Sequence, residues 1–101
     1  IMSIRINSVK FSADKKLEQF IEEKVNKLIS KHENITDVEV FLKLENDKSG
    51  ENKITEIKLG IPGNDFFAKK QSTSFEAATD TAVEALRRQL KKHTGKVRKR
   101  K

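Results

Sequence analysis

From Ser3 to Val9 polar and apolar residues alternate, with Ile4 and Ile6 on one side, which predicts a first strand because successive side chains of an extended chain point to opposite faces. The period then changes. Leu17, Phe20, Ile21, Val25, Leu28 and Ile29 recur at the spacing of a helix with one buried face. Ser12 is placed to cap that helix, Asp14 falls in its first turn, and its end is expected between His32 and Asn34. Thr36 to Glu45 returns to a period of two: Val38, Val40, Leu42 and Leu44 alternate with Glu39, Phe41 and Lys43, the pattern of a second strand. The polar stretch 46–52 reads as a hairpin loop, and Ile54, Ile57, Leu59 and Ile61 mark a third strand with less regular alternation. Pro62-Gly63-Asn64 makes a turn, Phe66 to Ala68 a short fourth strand, and Lys69 to Ser72 lead the chain out of the sheet. Thr73 and Glu76 have capping-box spacing, and Phe75, Ala78, Ala82, Leu86 and Leu90 give a last helix one apolar stripe, with Gly95 as its stop.

The order β-α-β-β-β-α predicts an α+β fold, a four-stranded sheet with two helices packed side by side on one face. Residues 3–95 make a single domain. Residues 96–101 are five cations and Val97, a run too poor in apolar side chains to offset its ordering entropy, so a disordered basic tail is expected there. Ile1 before Met2 reads as a remnant of processing, with Met2 the natural start.

At 101 residues the chain is too short for a barrel or a doubly wound dinucleotide fold. It contains no cysteine, which excludes disulfides, a zinc knuckle and a thiol nucleophile. No apolar run approaches the roughly 18 residues of a membrane span, and no secretion signal is evident, so a cytoplasmic location without membrane contact is expected.

The charge is unevenly placed. Residues 1–86 hold 13 Lys and Arg against 15 Asp and Glu, whereas residues 87–101 hold nine Lys and Arg and no acid. A nearly neutral domain therefore ends in a basic arm, the electrostatic footprint of a polyanion binder. At 100° per residue, Lys24, Lys27 and Lys31 form a stripe along the edge of the first helix's apolar face. Arg88, Lys92 and Lys96 form a second stripe on the last helix, flanked by Arg87 and Lys91. Ala77 and Ala85 leave room for close approach. Two such stripes on adjacent helices would face one groove, where phosphates meet several cations at once. Stacked like charges weaken a helix slightly, which points to a compensating anionic partner.

The chain has no Trp or Tyr, and its Phe residues are mostly claimed by core positions, with Phe41 the exception. Reading of stacked single-stranded bases is therefore disfavoured, and recognition through RNA backbone and shape fits better, with Gln89 and His93 as hydrogen-bonding neighbours. No phosphate-cradling glycine motif and no H-E-x-x-H is present, and His32 and His93 stand 61 positions apart. Neither a catalytic site, a cofactor, a metal nor a small-molecule substrate is indicated. Two further readings are open on the residues alone. One is a free-standing double-stranded RNA-binding module, although such modules carry lysines at the start of the last helix, where Thr73-Ser74-Phe75-Glu76 stands here. The other is an adaptor whose tail engages an acidic protein.

The segments Lys24-Val25-Asn26-Lys27-Leu28, Val40-Phe41-Leu42-Lys43, Ala77-Ala78-Thr79-Asp80 and Leu86-Arg87-Arg88-Gln89-Leu90-Lys91-Lys92-His93 resemble those of the ribosome hibernation-promoting factors, also called ribosome-associated inhibitors or sigma-modulation proteins. The resemblance extends from Ser3 to about Lys96 and is most specific in the last helix. It implies a non-enzymatic bacterial factor that binds the small ribosomal subunit through ribosomal RNA and blocks messenger and transfer RNA sites during starvation or stationary phase; whole ribosomes and ribosome dimers are further candidate partners, and whether dimers form or single ribosomes are silenced stays open. It matches Lys24, Lys27, Arg88, Lys92 and Lys96 to the family's basic positions, and Lys43 to a strand lysine. Ser74-Phe75-Glu76 departs from the acidic-hydrophobe-Tyr pattern of many members. Ending at Lys101, the chain resembles the short form, without the second, dimerising domain.

Overall fold

The computed structural model describes residues 3–9, 13–32, 35–45, 48, 50 and 52–99, with backbone alone at Ser3 and from His93 to Lys99. The elements are β1 (Ser3–Val9), α1 (Lys15–Ile29), β2 (Asp37–Leu44), β3 (Lys53–Ile61), β4 (Asn64–Ser72) and α2 (Phe75–Lys99). The strands lie side by side in chain order, β1 parallel to β2 and the other two pairs antiparallel. Parallel neighbours need a crossover, and α1 supplies it. This is the α+β arrangement expected, with a mixed four-stranded sheet and two helices.

Register explains which side the helices cover. Ile4 pairs with Val38, Val38 with Leu59, and Leu59 with Phe66; one step along, Ile6, Val40, Ile57 and Ala68 form a second row. Val38, Val40, Ile57 and Leu59 are wholly excluded from water, as are Ile21 and Val25 of α1 and Ala78, Ala82 and Leu86 of α2. One core thus lies between one sheet face and both helices. Thr55 and Thr79 are buried in it as well, their hydroxyl oxygens 3.4 Å apart, which satisfies the two polar groups by pairing β3 to α2.

The opposite sheet face is open and mixed. Arg5 approaches Glu39 at 4.0 Å, and Lys43 donates to Glu56 at 2.9 Å. Phe41 is half-buried among these charges and Phe67 is exposed. On β3 the open-face residues Ile54 and Glu56 are buried as well as the core-face residues, so its apolar pattern is less regular in the sequence than that of β2.

Several boundaries differ from expectation. Asp14, not Ser12, caps α1: its carboxylate accepts the Leu17 N–H at 2.8 Å, and Ser12 lies outside the described residues. Ser74, not Thr73, caps α2, accepting the Ala77 N–H at 3.1 Å; because the N3 position is then Ala77, the expected capping box with Glu76 is not formed. α1 ends at Ile29, earlier than expected, and β4 is nine residues long rather than three. Its extension through Lys69 to Ser72 is carried by pairing with Lys53 to Glu56, which local propensity does not reveal. The Pro62-Gly63 turn between β3 and β4 has Gly63 at φ +82°, the left-handed position that glycine takes without strain. Gly95 does not stop α2, whose helical backbone continues over residues 96–99 of the expected tail. A helical glycine costs only about 1 kcal/mol against alanine, and cations in the last turn complement the helix dipole.

Leu86→Ala should therefore cost about 2–5 kcal/mol of stability and Asp14→Ala about 1 kcal/mol, read as shifts in urea unfolding. Equal losses for the two would contradict the placement of Leu86 at the centre of the core.

Candidate nucleic-acid interface

Where α1 and α2 run side by side, their inward faces are apolar and the next positions around each helix meet at a surface seam. That seam is a groove of about 330 Å³ lined by Lys24, Lys27, Lys31 and His32 from the α1 side and by Asp80, Glu84 and Arg87 from α2, over a floor of Leu28 and Val83. Lys31 reaches it although α1 has ended. Its N–H bonds to the Leu28 carbonyl at 3.4 Å and that of His32 to Ile29 at 3.0 Å, so the chain keeps turning in the helical sense for one more step.

Four of the eight expected RNA-binding residues, Lys24, Lys27, Lys31 and Arg87, are brought together in this groove. Lys91 follows Arg87 one turn along α2 and is exposed. Arg88 and Lys92 are exposed too, but their helical positions lie roughly 100–140° around α2 from Arg87, outside the groove, so the α2 side of the seam is built on Arg87 rather than on the Arg88-Lys92-Lys96 stripe. Lys96 lies on the backbone of α2, and its side chain, like that of His93, is outside the described residues. Lys43 points to the open sheet face and pairs with Glu56, on the other side of the sheet from the groove. Gln89 is also committed: its amide donates to the Phe67 carbonyl at 3.1 Å, tying α2 to the outer edge of β4.

Two groove residues were not singled out from the sequence. Asp80 bonds Lys24 across the helices at 3.1 Å, and Lys24 in turn lies 5.4 Å from the centroid of the Phe20 ring. Glu84 pairs with Arg87 and stands 3.9 Å from Arg88. The spacing of Glu84 to Arg88 is a visible i, i+4 signal, but the Lys24 to Asp80 contact joins residues 56 positions apart and needs the packed pair of helices. Among the described residues, Lys27, Lys31, Lys91 and Lys92 have no ion-pair partner.

Such an array concentrates four cations along one surface groove. The match to known proteins agrees with the fold. Residues 4–98 match the family model for the sigma 54 modulation protein / S30EA ribosomal protein. The chain belongs to this family. A ribosome hibernation promoting factor of Pseudomonas putida is 32% identical over 95 residues, spanning 94% of this chain and 89% of that protein. Two solved structures share the fold of this chain at lower identity. A ribosomal subunit interface protein from Coxiella burnetii superposes with a TM-score of 0.81 at 18% identity, covering 94% of this chain and 99% of that one. The N-terminal domain of Thermus thermophilus Protein Y gives 0.73 at 20% identity, covering 88% and 94%.

Exposed ion pairs contribute little to folding, because water screens them and ordering two long side chains costs entropy. A double-mutant cycle on Lys24→Gln and Asp80→Asn should give a coupling below about 1 kcal/mol in urea unfolding. A coupling of several kcal/mol would mean that the pair holds the helices together, and the seam could not then be free to exchange partners.

Proposed function

We propose that this protein is a ribosome hibernation factor, which binds the small ribosomal subunit through ribosomal RNA and silences translation by occupying the transfer and messenger RNA sites under starvation or in stationary phase. The observation that carries the reading is the inter-helix seam. Among the described residues, Lys27, Lys31 and Lys91 have no ion-pair partner along or beside it, and Arg88 and Lys92 extend the basic surface around α2. Family membership supports the ribosome as the source of the RNA, and the name of the Pseudomonas relative supports hibernation as the setting. The mechanism is occupancy. Cations of both helices neutralise phosphates, counterions are released, and the folded body excludes other ligands from the space it fills. Neither catalysis nor a cofactor enters it, and the site of action is the cytoplasm.

Co-sedimentation with bacterial small subunits and whole ribosomes over a salt series, beside cell-free translation, tests this directly. Binding should weaken steeply with salt, each neutralised phosphate adding about 0.7–0.9 to the log–log slope. Combined Arg88→Glu and Lys92→Glu should abolish both co-sedimentation and inhibition while leaving the circular dichroism spectrum unchanged. Ribosome binding that survives this charge reversal would remove the Arg88-Lys92 face of α2 from the interface.

A further inference from the structure

Asp80 and Glu84 sit inside a surface that otherwise attracts anions, and the core does not require them there. Their side chains are 53% and 43% exposed. Yet between them they engage Lys24, Arg87 and Arg88, three of the cations that a phosphate would use. The groove lining holds four cations and two carboxylates, so with His32 neutral its formal charge is +2 instead of +4.

Polyanion binding is driven largely by release of condensed counterions, with each free cation replacing one or nearly one of them. A cation that already holds a carboxylate gains less, since phosphate must first displace an acceptor tethered at contact distance. A plain duplex presents evenly spaced phosphates and leaves the displaced carboxylates facing negative charge. A compact folded RNA can differ on both counts. It can bring phosphates to the groove and to the outer face of α2 together, and it can offer base amino groups or 2′-hydroxyls as donors to the carboxylates.

We infer that Asp80 and Glu84 are built-in competitors for phosphate that make the groove selective, suppressing capture by ordinary RNA duplex while admitting a folded RNA surface. The inference rests on the ribosome-binding reading above for its preferred partner. Both residues are specificity determinants in this scheme; neither takes part in chemistry.

The test compares the unmodified protein with Glu84→Gln, with Asp80→Asn plus Glu84→Gln, and with Glu22→Gln as a control matched in charge to the single variant. Glu22 is exposed on α1, about 160° around the helix from Lys24. Each is titrated against a plain RNA duplex and against purified small ribosomal subunits over the same salt series, after urea unfolding has confirmed a folded domain. The double variant should bind duplex about tenfold tighter near physiological salt, with a log–log slope steeper by about 0.7–0.9 per cation released. Its affinity for small subunits should change about threefold or less, so discrimination falls, and Glu22→Gln should alter neither. Glu84→Gln alone, which leaves the Lys24 to Asp80 link in place, should show part of the effect. Duplex binding that is unchanged, or that rises equally for the Glu22 control, would overturn the inference, as would an equal gain on both RNAs. If the unmodified protein fails to bind small subunits, the function proposed above is what fails; an absent duplex effect with subunit binding intact removes the selectivity alone.

Discussion

Ile21 and Val25 of α1 and Ala82 and Leu86 of α2 are all buried in one core with the sheet residues Val38, Leu59, Val40 and Ile57. Fixing these residues inward fixes the rotation of each helix about its own axis. Every other position on α1 and α2 then has no freedom of placement: residues a quarter-turn from the apolar stripe must meet at the seam, and those opposite must face water. The groove that gathers Lys24, Lys27, Lys31 and Arg87 is therefore a consequence of core packing. Hydrophobic burial places the cations, and no ion pair is asked to do so.

That separation of roles matters energetically. Burying a large apolar side chain is worth about 1.5–3 kcal/mol, whereas an exposed ion pair is worth about 1 kcal/mol or less. In the proposed mode of binding, the seam would exchange Asp80 or Glu84 for a phosphate without loosening the domain beneath it. The open sheet face lacks this property. There Glu56 is buried and held by Lys43, and its charges alternate in sign across the strands, so it presents no continuous basic surface.

Much of this was legible in the sequence because the apolar periods are clean. Leu17 to Ile29 and Phe75 to Leu90 define their buried faces from spacing alone, and Val38, Val40 and Leu42 define theirs. What depends on a single hydrogen bond was placed one or two residues away: Asp14 and Ser74 cap helices for which Ser12 and Thr73 were equally plausible caps. What depends on a distant strand was missed, as with the extension of β4 to Ser72 along β3. The candidate site divided in the same way. Lys24, Lys27 and Lys31 follow from the period of one helix, but whether Arg87 or Arg88 faces them depends on the angle at which α2 settles. The contact of Asp80 with Lys24 exists only between two packed helices.

The claim on which the rest stands is that the α1–α2 seam, and not the open sheet face, is turned toward ribosomal RNA. Photo-crosslinking from single sites measures this most directly, with a photoreactive side chain introduced at Lys27 in the seam or at Lys58 on the exposed sheet face. With purified bacterial small subunits, position 27 should crosslink to ribosomal RNA and position 58 should not. Efficient RNA crosslinking from 58 with none from 27 would contradict the orientation and, with it, the role assigned to the groove.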